Sequence, residues 1–75
     1  TVYPNPNTGT FTIDFKGSLS KNTEVIIFNI IGDKVVHLKP INELEQIDLS
    51  SFENGVYFVN VISKSVTKVV RIIKQ

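Results

Sequence analysis

Few side chains in this chain could do covalent or metal chemistry: there is one histidine, His37, and no cysteine. A zinc or copper site needs several His or Cys ligands at fixed spacing, and His37, between Val36 and Leu38, has none near it, so it reads as a solvent-facing strand residue. Ser50 and Ser51 with His37 and Asp48 can be drawn as a nucleophilic triad, but no glycine elbow flanks either serine. Asp14 and Asp48, the carboxylates that could pair as acid and base, fall in short polar-face or turn positions where exposed carboxylates are usual. The glycines at 9, 17, 32 and 55 are isolated and no helix follows them, so no loop cradles a phosphate. The expectation is a protein with no catalytic residues, no metal and no cofactor.

Charge narrows the partners further. Eight basic and seven acidic residues leave a net +1, too little to concentrate nucleic acid or anionic lipid. Glu43, Glu45, Asp48 and Glu53 do fall in a stretch without Lys or Arg, and Lys64, Lys68, Arg71 and Lys74 fill an end without acids. These could form two poles with different partners or two ordinary solvated faces. The longest apolar run, Val25-Ile26-Ile27-Phe28, is far short of the ~20 residues that cross a bilayer as a helix. The start, Thr1-Val2-Tyr3-Pro4, has no initiator Met and no signal-peptide pattern, so the chain is expected to be a single domain, residues 1–75, excised from a longer precursor.

The elements that must position these residues read as strands. Thr10-Phe11-Thr12-Ile13-Asp14-Phe15 alternates with period two and puts Phe11, Ile13 and Phe15 on one face. Glu24 to Asn29 and Val56 to Ile62 are β-branched and aromatic runs suited to central strands. Lys34 to Leu38, Gln46 to Leu49 and Thr67 to Ile73 complete the set, with a short edge strand at Thr1 to Tyr3 before Pro4. Turn residues separate them at intervals of roughly 8–12, which predicts an all-β, Ig-like antiparallel sandwich of about seven short strands. A domain of this size buries only ~60% of its unfolded surface, so the core must be thin.

Asp48 to Tyr57 has the shape of a tyrosine corner, in which Tyr57 opens a core strand and turns its hydroxyl back onto the preceding crossover, with Gly55 at the bend. The seven aromatics include no Trp, and most are needed for the core, which weakens a sugar-stacking reading. Ile30-Ile31, beside Gly32, is an odd pair for a solvent-facing hairpin. Either the turn folds over the sandwich end or a partner covers it.

Several of these pieces, in order, resemble the C-terminal sorting domain of the type IX secretion system of Bacteroidota, the type A family. Tyr3-Pro4-Asn5-Pro6-Asn7-Thr8-Gly9 followed by Thr10 to Ile13 is similar to that family's Pro-Asn-Pro, glycine and first full strand. Val25 to Val36, through Gly32, resembles its strand, apolar turn and returning strand. Ile47-Asp48-Leu49-Ser50, Gly55-Val56-Tyr57-Phe58-Val59 and the basic Thr67 to Lys74 resemble its last hairpin and tail. Gln75 stands where a further lysine is usual, and Asp33 where a basic residue is common. Pro4 and Pro6 are expected to hold the leading segment extended. Lys68, Arg71 and Lys74 cannot all share one face and serve either to guard the edge or to meet an acidic surface of the transport machinery.

The resemblance implies a parent protein that crosses the inner membrane by an N-terminal signal, folds in the periplasm and is addressed by this domain. Its partners would be the type IX translocon, an outer-membrane shuttle barrel and a sortase-like protease. That protease would cut upstream of the domain, near Thr1 or before it, and join the cargo to surface lipopolysaccharide. A different reading is an accessory sandwich that binds glycan or protein at the cell surface, and another is a spacer. Exposed β-edges also invite strand addition or a weak dimer.

Overall fold

The computed structural model describes residues 1–6, 8–64 and 66–75; Asn7, part of the Pro-Asn-Pro resemblance, lies outside the described residues. Among the described residues there are seven strands: β1 (Val2–Tyr3), β2 (Thr10–Asp14), β3 (Glu24–Asn29), β4 (Lys34–Leu38), β5 (Leu44–Asp48), β6 (Gly55–Ser63) and β7 (Val66–Lys74). They form two antiparallel sheets, one in the order β1-β2-β5 and one in the order β4-β3-β6-β7. The fold is thus the expected all-β sandwich.

Alternation builds the core. Phe11 and Ile13 of β2, Val25 and Ile27 of β3, Ile47 of β5, Tyr57 and Val59 of β6 and Ile72 of β7 all point between the sheets and are buried, with Phe15 and Leu49 just beyond strand ends. Each such side chain contributes about 1.5–3 kcal/mol on burial.

Three differences from the sequence expectation have local causes. Strand β5 begins at Leu44 rather than Gln46, because Leu44 pairs with Asp14 and extends the ladder with β2. Strands β6 and β7 are each nine residues long, joined where Ser63 pairs with Val66. Lys64 there takes φ 53, a left-handed conformation that tight hairpins require and that no Gly, Asn or Asp announced. The segment from Pro4 to Pro6 is bent rather than extended, and its prolines follow cis peptide bonds. The bend carries Asn5 onto the edge of β7, a destination the prolines alone do not reveal.

The two charged stretches are not gathered at opposite ends of the sandwich. Strands β5 and β7 each run from one end of the sandwich to the other and distribute their charges along it. Glu43 accepts a hydrogen bond from Gly17 N at 3.0 Å, while Asp48, at the other end of the same strand, bonds Ser50.

Candidate functional site

The residues singled out by sequence gather at one end of the sandwich, where three distant parts of the chain meet. Strand β7 is an edge strand, and its outer side faces no neighbouring strand. The Asn5 side chain supplies partners for two of the strand's backbone groups: its Nδ2 donates to Arg71 O at 2.9 Å and its Oδ1 accepts from Ile73 N at 3.0 Å. A side-chain amide carries one donor and one acceptor in the arrangement of a peptide group, so Asn5 substitutes for a short piece of neighbouring strand.

Gly9 forms the second junction. Its carbonyl accepts from Leu49 N at 2.6 Å, which fastens the leading loop to the crossover after β5. Its φ is +123, and a Cβ placed there would stand 2.9 Å from Lys74 Cε and 3.1 Å from Ser50 Cα. Both the backbone conformation and the space therefore require glycine.

Lys74 is the third. It follows Ile72 by two residues and so shares its inward direction; it is only 7% exposed. Its ammonium donates to Phe52 O and, at 3.5 Å, to Ser50 O. It serves as an internal tie for the crossover and does not guard the edge. Arg71 points the opposite way and is exposed, as is Lys68 near the other end of the strand.

The crossover is shaped from within as well. Tyr57 Oη donates to Glu53 O at 2.5 Å while its ring is buried, which makes the tyrosine corner read from the sequence. Gly55 sits opposite Lys74 in the ladder. Asp48 Oδ1 accepts from Ser50 N at 2.8 Å. The hydroxyl and N–H of Ser50 hold the Asp48 carboxyl below the usual carboxylate range, with a smaller contribution from Lys74.

Elsewhere, Gly32 has φ +93 in the turn between β3 and β4. Asn29 Oδ1 accepts from Ile31 N at 3.2 Å and Asp33 N at 2.8 Å, which stiffens that turn. Ile30 and Ile31 remain 65% and 78% exposed, so the turn does not fold over the sandwich end. The triad drawn from sequence is divided: His37 Nε2 lies 2.7 Å from Glu24 Oε1 on the outer side of β3 and β4, whereas Asp48 and Ser50 bond each other beyond β5. That contact with His37 is also the main reason the Glu24 carboxyl sits below its usual range.

Among the sequence-derived positions, Asn5, Gly9, Asp48, Leu49, Gly55, Tyr57, Arg71 and Lys74 are thus brought to one end; the β3–β4 turn with Gly32 lies at that end too, its Ile30 and Ile31 lining a cleft with Glu53 to Tyr57, while Lys68 belongs to the far half of β7. Pro4 and Pro6 flank the Asn5 clamp. Sequence reasoning named Ser50 only as a nucleophile on paper and as a motif residue, gave Phe52 no role, and did not foresee that their carbonyls receive Lys74; the available signal was the shared parity of Lys74 and Ile72.

Over residues 1–75 the sequence matches a family model described as the secretion system C-terminal sorting domain. Among curated proteins, none matches it.

Proposed function

The chain belongs to this family of type IX secretion sorting domains, and from that premise we propose that it acts as a removable address rather than as a catalyst. As a member it is the C-terminal type IX signal of a cargo protein, engages the secretion machinery and directs export across the outer membrane to the cell surface or the medium. In the proposed sequence of events the cargo passes through the periplasm with this domain folded. The translocon and an outer-membrane shuttle barrel receive it, and a sortase-like protease cuts upstream while attaching the cargo to the surface. The domain is the substrate of that cut.

The observation that carries the reading is the Asn5 clamp, which makes the leading motif and the final strand one surface although 66 residues separate Asn5 from Arg71. A signal built this way is complete only when the whole domain is folded, which suits an address read after the cargo reaches the periplasm. The test is mass spectrometry of a surface-attached reporter that carried residues 1–75 at its C-terminus. The expected product ends before Thr1 or close to it and bears a surface glycolipid. A mature surface product that retains residues 1–75 would overturn removal and favour the accessory module.

A further inference from the structure

The outer faces of the two sheets differ in a way the sandwich itself does not require. In a two-layer sandwich each strand turns alternate residues inward and outward, and the outward set normally meets water. The three-stranded sheet mostly follows this rule, with Thr10, Thr12, Asp14, Gln46 and Asp48 on its outer side and Tyr3 and Leu44 as the large apolar residues at its margins. The four-stranded sheet does not. Phe28 follows buried Ile27, and Phe58 lies between buried Tyr57 and Val59, so both rings point away from the core. They are directly paired across β3 and β6. The neighbouring row sets Ile26 against Asn60 and Asn60 against Val69, and Val69 is 57% exposed. Val56 and Ile73 pair in the row nearer the clamp.

Charge on this face is one-sided. Lys34 pairs with Phe28 and Arg71 pairs with Phe58, so one cross-strand row reads Lys34, Phe28, Phe58, Arg71, with a cation at each end. The one acid the face carries among the described residues, Glu24, is already engaged by His37. A second copy stacked on this face would set cations against cations and offer no free carboxylate. Phe28 and Phe58, the aromatic residues of this face, are each half-buried, which leaves little ring surface to enter acyl chains.

We infer that the outer face of the four-stranded sheet is the docking surface for a protein of the export machinery whose own contact is apolar at its centre and acidic at its rim. The apolar rows supply the buried contact, and Arg71 and Lys34 set its orientation by meeting carboxylates at the margin. This inference rests on the sorting reading and names the surface through which that sorting is read.

The test is export of a signal-peptide-bearing fluorescent reporter fused to residues 1–75 in a type IX-competent strain. Ile26→Thr with Val69→Thr keeps β-branching and removes apolar contact; Lys34→Glu with Arg71→Glu reverses both exposed cations and disturbs no core side chain. Each pair is expected to lower exported reporter at least tenfold, while Leu44→Thr on the opposite sheet leaves it unchanged and the purified chains keep their melting temperatures to within a few degrees. Export of either double variant at the wild-type level would overturn the inference while leaving the sorting role intact. A wild-type chain that sediments as a dimer broken by Ile26→Thr with Val69→Thr would overturn it in favour of a second copy. Cosedimentation with phosphatidylglycerol vesicles, lost in the Lys34 and Arg71 pair, would overturn it in favour of lipid. Retention of the wild-type fusion inside the cell would instead sink the sorting reading beneath it.

Discussion

At one end of the sandwich the bonds that close the structure reach across the chain: Asn5 to Arg71 and Ile73, Lys74 to Ser50 and Phe52, Leu49 to Gly9. At the other end closure is mostly local. Ser18 bonds Phe15 O, Lys16 N bonds the Asp14 carboxylate, and Ser20 bonds Thr23. Longer reaches there are Glu43 to Phe15 and Gly17, Thr1 to Asp14, and a 3.5 Å contact between the Ser20 and Ser63 hydroxyls. Local turns form early and cost little loop entropy, whereas the long-range junctions form only after both sheets are in place. The first end therefore depends on distant parts of the chain more than the second does. This explains in physical terms why the family resemblance is spread over the chain: its distant pieces are parts of one joint.

The contrast should be sharpest for glycine. Gly9→Ala forces a side chain into a left-handed backbone and against Ser50 and Lys74, and should cost about 2–4 kcal/mol. Gly17→Ala, at the opposite end with φ +81 and open space around it, should cost about 1 kcal/mol. Urea denaturation of the 75-residue chain measures both, and equal costs would break the comparison. Next in size is Tyr57→Phe, which removes the hydroxyl from Glu53 O and should cost about 1–2 kcal/mol by the same measurement. A value near zero would mean that the corner is held by ring packing alone.

Asn5→Ala should cost less, about 0.5–1 kcal/mol, because the clamp is exposed to water. Its more telling readout is hydrogen exchange: the Ile73 amide should exchange faster while the Val59 amide, in the sheet interior, is unchanged. The smallest effect belongs to Asp48→Asn. The Asp48 carboxyl is held below its ordinary value of 3.8, so its contribution is fully present above that value and is lost as pH falls through the lowered folded value. Wild type should accordingly be the more stable protein at neutral pH, and the difference in urea midpoint should shrink as pH falls below the ordinary carboxylate range.

Much of the architecture could be read from the residues. Alternation in Thr10 to Phe15 marked β2 and its buried face, and Asp48 to Tyr57 declared its corner, because both are local patterns whose geometry follows from spacing. The clamp was not legible, since nothing in Pro4-Asn5-Pro6 says that an amide 66 residues before Arg71 will complete an edge strand. The tightness of the β6–β7 turn was not legible, because Lys64 adopts a conformation usually left to glycine or asparagine. The direction of Lys74 could have been found from its parity with Ile72, but a lysine near a chain end reads as solvated by default. The continuous apolar runs of β3 and β6 were read as covered central strands, and that pattern also describes a sheet with apolar residues on both faces.

The sorting role is put to proof by locating a signal-peptide-bearing reporter fused to residues 1–75, beside the same fusion lacking Lys68 to Gln75, in a type IX-competent strain. The complete domain should place the reporter on the cell surface or in the medium, and the truncated one, which lacks Arg71, Ile73 and Lys74 for the joint, should leave it in the periplasm. A complete fusion that is folded, stable and retained in the periplasm would contradict it.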